Sequence, residues 1–427
     1  MREPVQDWSD AYFAHPQDIH GRTVRVEVDA PLYEIAHLWR HGASALEFRG
    51  SVAAAHARTL WEEIGPWGAD GAASPGIATA DGRPVLVNAC TEAGFRRAAA
   101  AGAAGVGLVR GEFLFALAVA TLFEEKFDDG STVLESLSSE GDFATLTRLL
   151  HTPELCTLLG RPIAAALDAA GSAFPAGAPV FVRLFDFGDA YTSQGGPRGT
   201  ALLLEKLPEA LDFLARILWE VQSRHTVRFV LAPPMVSSYA ELTSVLSRLA
   251  RIGLSPASGD SAATGQPGFG WEVETPAAAL CTGLWADHLL REHRLTPAVC
   301  GIGTNDLTQF TLARGRRTTP SAPGRPEAHP AVLALLARLA ADCQDRGITA
   351  VLSGAAAEDS GYRNFGDSLG LLASCTPYAL FEDAGAESAA ILEQAVSVDA
   401  LPGVGGLPEV IVWRRVTAHT CTGDRHG

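Results

Sequence analysis

From "RPVLVNAC" onward the chain alternates short apolar runs with longer stretches of helical period. The runs are "VLVNA", "GVGLVRG", "VFVRLFDF", "RFVLAPPM", "GWEVE", "VCGIGT" and "TAVLSG". Between them lie patterns such as "TEAGFRRAAAAG" and "AVLALLARLAADCQDRG", with apolar residues at helical spacing. A run of four to eight apolar residues bounded by glycine or polar turns suits a strand buried on both faces. Strands separated by helices must run parallel, because a crossover helix returns the chain to the same edge. Alternation sustained over roughly 340 residues favours a closed (β/α)8 barrel over an open sheet.

Composition narrows the setting. Hydrophobic residues make up 47% of the 427 residues and aromatics only 7%, so a sizeable core rests on Ala-rich helices. The formal net charge of -16 argues against a nucleic-acid partner, whose phosphates would be repelled. A small anionic substrate then needs a local arginine cluster against that field. No apolar run approaches the ~18 residues of a membrane span, and "MREPVQDWSD" lacks the apolar centre of a signal peptide. Seven cysteines are scattered at 90, 156, 281, 300, 343, 375 and 421 with no CxxC pair. That pattern predicts reduced thiols in a cytoplasmic protein and no zinc site.

Two Gly/Pro/Ser-rich stretches punctuate the chain: "GPWGADGAASPGIATADGRP" at 65–84, and "LSPASGDSAATGQPGFG" at 254–270, which reads as a surface loop. The resulting expectation is an N-terminal α/β subdomain over 1–64, a linker over 65–81, the barrel over 82–400 and a tail over 401–427. The N-terminal part carries an internal echo. "GRTVRVEVDAPLYEIAHLWRHGASALEFRG" at 21–50 runs parallel to "GRPVLVNACTEAGFRRAAAAGAAGVGLVRG" at 82–111. Shared βαβ grammar explains the echo as well as a degenerate duplication does.

In such a barrel the reacting groups sit at the C-terminal ends of strands and in the loops that follow. Polar residues at those places are Arg110, Arg183 with Asp186, Arg198, Glu274, Asn305, Asp306, Arg316 and Ser353. Any one of them taken alone fits a surface ion pair. Several arginines and carboxylates on one rim suit a small, doubly anionic, metal-chelating substrate. Mg2+ is commonly held by one or two carboxylates, with substrate oxygens and water filling the rest. Arginine forks onto carboxylate and phosphate oxygens.

These residues carry a resemblance. "GVGLVRGEFLF", "EVETPAAAL" and "GIGTNDLTQFTLARGR" closely resemble the phosphoenolpyruvate-binding barrel of Enzyme I of the bacterial sugar phosphotransferase system. "VFVRLFDFGD" and "GGPRGTALL" are similar to segments of pyruvate phosphate dikinase. The resemblance spans about residues 81 to 385, with the motifs in the family's order. It implies that Glu274 and Asp306 bind Mg2+ or Mn2+, and that Arg110, Arg198 and Arg316 hold the phosphoryl group. It further implies that Asn305 orients the substrate, that Arg183 lies close by, and that the barrel forms a homodimer. The apolar "LGLLASCTPYALF" at 369–381 suits either that dimer contact or the core.

Two departures stand beside the matches. Where the family has a Cys-Gly-Glu turn whose thiol protonates the enolate, this chain reads Ser353-Gly354-Ala355. A hydroxyl is a far weaker acid than a thiol with pKa about 8.5, so Ser353 acts through a water relay or simply packs. No Gly-Gly-x-Thr-Ser-His run of a phosphohistidine domain occurs, and "VTAHTCTG" at 416–423 lacks its glycines. The functional expectation is a Mg2+-dependent enzyme that binds phosphoenolpyruvate and transfers its phosphoryl group to a partner histidine in trans or to a small acceptor. The alternatives are a pyruvate-enolate lyase, aldolase or condensing enzyme, and a non-catalytic phosphoenolpyruvate-binding homologue.

Overall fold

A computed structural model describes residues 23–26, 36, 45–48, 84–122, 142–187, 197–259, 265–313, 326–354, 356–357 and 360–375. Two strands come first, β1 (Thr23–Val26) and β2 (Ala45–Phe48), which pair in parallel as a separate two-stranded sheet. Eight further strands close a barrel. They are β3 (Leu86–Asn88), β4 (Val106–Arg110), β5 (Pro179–Arg183), β6 (Arg228–Ala232), β7 (Gly268–Val273), β8 (Val299–Gly303), β9 (Thr349–Ser353) and β10 (Leu372–Cys375). Every neighbouring pair is parallel, and β10 closes onto β3. The expected (β/α)8 barrel is therefore the fold.

Period-two alternation splits the strand residues between two apolar clusters. Leu86, Leu108, Phe181, Val230, Val299 and Val351 form a small cluster of their own. Strand residues of the opposite parity, among them Val180, Val182, Phe229, Leu231, Trp271, Ile302 and Leu352, join a much larger cluster with helix residues such as Leu211, Leu218 and Leu336. The small cluster is the barrel lumen and the large one the strand–helix layer, since successive strand side chains point to opposite faces. Two residues further along most of the strands the lumen face changes character, whereas β6 keeps Ala232 there. Asn88, Arg110, Arg183, Glu272, Gly301, Ser353 and Ser374 continue the lumen parity at the strands' C-terminal ends. The apolar plug thus lies beneath a polar layer.

The helices are α1 (Glu92–Ala100), α2 (Gly111–Leu122), α3 (Asp142–His151), α4 (Pro153–Ala173), α5 (Gly199–Lys206) and α6 (Pro208–Gln222). After them come α7 (Tyr239–Arg251), α8 (Pro276–His293), α9 (Thr304–Leu312), α10 (Pro330–Gln344) and α11 (Ser360–Ser368). Several begin directly at a strand end, and local chemistry fixes where. After Glu274, Thr275 accepts a hydrogen bond from the Ala278 N–H at 3.1 Å, and Pro276 occupies the first helical turn. An N-cap hydroxyl followed by proline starts a helix sharply. That turn holds Glu274 at the rim.

Three expectations need correction or bounding. The eighth barrel strand, Leu372–Cys375, lies inside the stretch that was read as a dimer contact or core. Residues 268–270 belong to β7 rather than to the surface loop, and Ala257 forms a parallel bridge to Gly268. The linker 65–81, the tail 401–427 and Arg316 lie outside the described residues.

Candidate active site

The rim is built from the ends of β4, β5, β7 and β8. Arg110 ends β4 and pairs in register with Arg183, the last residue of β5. Arg198 is the residue before α5, and Asp306 lies in the first turn of α9. Arg183, Glu274 and Asp306 are buried, and the Arg198 side chain is 11% exposed. Charged groups are seldom buried unless they are paired. Here the pairing is extensive.

Arg183 Nη2 is bonded to Glu112 Oε1, and Arg183 Nη1 donates to Glu274 Oε1 at 3.3 Å. The same Nη1 lies 3.8 Å from Asp186 Oδ2. The second Glu112 oxygen accepts the Asp186 backbone N–H at 3.5 Å. Arg198 Nη1 donates to Asp306 Oδ1 at 3.1 Å, and its Nη2 lies 3.6 Å from Asp186 Oδ2. Glu274 Oε2 accepts the Met235 N–H at 2.8 Å. Arg183, Arg198, Glu274 and Asp306, each singled out in the sequence, are thereby brought together.

Arg110, Asn305 and Ser353 occupy the same end of the barrel. The Arg110 guanidinium lies 5.2 Å from the centroid of the Phe113 ring, a cation–π contact, and its charge also acts on Glu272. Asn305 is exposed at the start of α9. Ser353 is buried at the end of β9, paired in register with Gly303, and its carbonyl accepts the Thr304 hydroxyl at 2.8 Å. Gly354 follows with a φ of 92°, a conformation that favours glycine.

Three carboxylates of this network were not among the expected site residues: Glu112, Asp186 and Glu272. The sequence places Asp186 on the rim without assigning it a role. Signals for the other two were present. Glu112 stands two residues after Arg110, in the first turn of the helix that leaves the rim. Glu272 shares strand parity with Glu274. Space for these side chains comes from β8: a Cβ at Gly301 would lie 2.7 Å from the Glu272 carboxylate oxygens, and one at Gly303 would lie 2.6 Å from Glu274 Cγ.

Burial dominates the acid–base behaviour of the pair. It pushes the Glu274 carboxyl up to about 8 against the pull of the Arg183 charge, with Asp306 and Glu272 raising it further. Burial likewise lifts Glu272 to about 7, opposed by Arg183 and Arg110. The surrounding carboxylates, Glu112 foremost, outweigh desolvation and hold Arg183 protonated well above its ordinary value.

Among the described residues no group of three His, Cys, Asp or Glu side chains is arranged to hold a metal ion by itself. Glu274 and Asp306 offer two carboxylates on one rim, each now facing an arginine. That donor set fits Mg2+ as an ion sharing its coordination with substrate oxygens and water. It does not fit a closed protein cage.

The fold is a (β/α)8 barrel whose C-terminal rim crosses arginines with carboxylates. Residues 75–382 match the family model for the PEP-binding domain of PEP-utilising enzymes, and the chain belongs to that family. It is 30% identical over 291 residues to the phosphoenolpyruvate-protein phosphotransferase of Streptomyces coelicolor, covering 67% of this chain and 44% of that protein. It is 31% identical over 236 residues to the multiphosphoryl transfer protein of Xanthomonas campestris pv. campestris, covering 55% of this chain and 23% of that one. The chain spans less than half the length of these curated relatives. Among solved structures it is similar to a magnesium/glyoxylate complex of Haloferax volcanii malate synthase. That likeness has 16% identity and a TM-score of 0.35, and covers 60% of this chain and 75% of that one.

Proposed function

We propose that the protein is a Mg2+-dependent enzyme that binds phosphoenolpyruvate and transfers its phosphoryl group to a partner histidine in trans or to a small acceptor. The observation that carries this reading is the crossing of Arg183 and Arg198 with Glu274 and Asp306 on one buried rim. Family membership and the two phosphotransferase-type relatives support it. Glu274 and Asp306 are the residues that hold the metal, Mg2+ or Mn2+, which supplies charge for the enolate and phosphoryl oxygens when bound. Arg110, Arg183 and Arg198 donate to the anion's oxygens, with Arg316 assigned the same task from the resemblance. Asn305 orients the substrate. We place the protein in the cytoplasm as a homodimer, with neither nucleic acid nor membrane as partner.

Ser353 favours a second reading. The weakly acidic hydroxyl leaves the enolate without a direct proton donor at that strand end, which suits attack on another electrophile by a lyase, aldolase or condensing enzyme. It also suits a homologue that binds without turnover. Incubation with Mg2+ and phosphoenolpyruvate, followed by phosphorus and proton NMR, separates these outcomes. Loss of the phosphate ester signal with an acceptor present supports transfer. Broadening without turnover supports binding alone, and an unchanged spectrum refutes the phosphoenolpyruvate reading.

A further inference from the structure

Glu112, Glu274, Asp186 and Asp306 each meet a partner at the rim. Glu112 and Glu274 are both bonded to Arg183, and their second oxygens accept the backbone N–H of Asp186 and of Met235. Asp186 lies 3.6 Å from Arg198, and Asp306 accepts a hydrogen bond from the same side chain at 3.1 Å. Glu272 is just as buried, at 2% exposed, yet among the described residues no hydrogen bond or ion pair reaches its carboxyl. The charges of Arg183 and Arg110 act on it only from further away. The backbone sets where that carboxyl lies. Glu272 is one lumen position below Glu274, about 7 Å along the strand direction. It stands in register with Gly301 of β8, where a Cβ would lie 2.7 Å from both of its oxygens. Gly301 is paired in turn with Val351, which belongs with Val299 and Val230 to the apolar plug. The plug closes the lumen below, so a donor for Glu272 has to come from the rim above.

Resting on the metal and anion reading above, we propose that Glu272 is a specificity-determining residue that accepts a hydrogen bond from a hydroxyl of the ligand. The rest of the rim decides which hydroxyl. The arginines and the metal take the ligand's anionic oxygens, which have no proton to give to Glu272. What remains of a three-carbon 2-oxo acid is its third carbon. In pyruvate or phosphoenolpyruvate that carbon is a methyl or methylene group with nothing to donate, whereas a hydroxyl there meets Glu272. The ligand class is thus a 2-oxo acid, or its enol phosphate, hydroxylated at the third carbon. Protonated or ionised, a carboxyl keeps an oxygen that accepts, so the assignment holds in either state. A site built to bond a hydroxyl rejects the analogue that lacks it, because its own buried polar group is then left unpaired.

Calorimetry on the full chain in the presence of MgCl2 tests this, with sodium oxalate, pyruvate and hydroxypyruvate as ligands. Hydroxypyruvate is pyruvate with a hydroxyl on its third carbon, and oxalate has no third carbon. The natural protein should bind hydroxypyruvate about tenfold or more tighter than pyruvate. Glu272→Met, apolar and of similar length, should erase that preference, mainly by weakening hydroxypyruvate. Glu272→Gln keeps an accepting oxygen and should keep most of the preference, which a merely structural carboxyl would not require. Thermal melting checks that both variants are folded, and the comparison in the unaltered chain needs no variant. Equal or weaker binding of hydroxypyruvate by the natural chain, binding of neither 2-oxo acid, or a preference that survives in Glu272→Met overturns the assignment. Where oxalate still binds with Mg2+, the metal and anion reading stands. If oxalate too fails to bind with Mg2+, that reading falls and the assignment with it.

Discussion

Glu274 is an unusually weak acid because of its burial where β7 ends. With its carboxyl raised to about 8 and that of Glu272 to about 7, both take up protons in the folded chain that the unfolded chain releases near the ordinary carboxylate range. The stability they contribute is complete below that range and is lost as pH rises through about 7 and 8. The ligand-free protein should therefore lose about 1–3 kcal/mol between pH 5 and 8.5, and Glu274→Gln should remove part of that slope. Urea denaturation across the range measures it, and equal slopes in both proteins contradict the assignment. Ser353 poses the complementary question. Buried beside Gly303, it presents a hydroxyl where the resemblance implies a thiol acid. Ser353→Cys should raise proton exchange at the methyl group of pyruvate in deuterated water by about tenfold or more, the lower end of typical general-acid gains being ~100-fold. Substrate affinity should stay nearly unchanged, since the arginines are untouched. If the natural protein already exchanges those protons as fast as the variant, the serine is not limiting and plain phosphoryl transfer stands.

At the scale of elements, the β7–β8 pair fits two buried carboxylates into a narrow lumen. It does so by placing glycine on β8 opposite each of them. Gly301→Ala would set a methyl group 2.7 Å from the Glu272 oxygens. Overpacking of this kind costs about 1–3 kcal/mol. A Glu272→Ala change in the same chain should recover most of that loss, giving a coupling energy well above ~0.5 kcal/mol in a double-mutant cycle. Independent, additive losses would mean that the carboxylate simply turns aside. The strands themselves were legible because apolar runs such as "VFVRL" and "RFVLA" are short and sharply bounded. β10 was not legible, since "LGLLASC" has Ser374 as its one hydroxyl and four strand residues are too few to show an alternation that separates them from a helix or a contact surface. Arg183, Arg198, Glu274 and Asp306 could be named from strand ends and motif order. Glu112 and Glu272 carried local signals, the spacing from Arg110 and the parity with Glu274, but those signals name no partner: that Glu112 meets Arg183 depends on how the strand ends meet at the rim.

The whole molecule still has to cover what the barrel leaves exposed. The apolar stretch 369–381 suits either a dimer contact or the core, and since Leu371 is buried and Leu372–Cys375 closes the barrel, that part of it is core. Among the described residues, the large apolar side chains left in solvent are Leu280, Leu284 and Leu290 on α8 and Phe310 on the neighbouring α9. Leu280 and Leu284, 54% and 57% exposed, lie one turn apart, while Gly283 on another side of α8 packs close to Asp342 of α10. Scattered apolar exposure is ordinary on a protein surface, and Leu280 with Leu284, one turn apart on one face of α8, is the pair on which the homodimer proposal rests. An association resting on such side chains gains little from ion pairs, so salt should not dissolve it. Screening at 1 M ionic strength shortens the reach of surface charges to about 3 Å and leaves apolar burial intact. Light scattering at micromolar concentration should then give twice the 44.8 kDa chain mass in both low and high salt. A clean 44.8 kDa species in both contradicts the homodimer. A dimer that dissociates only in high salt assigns the contact to charged surface and excludes the leucine face.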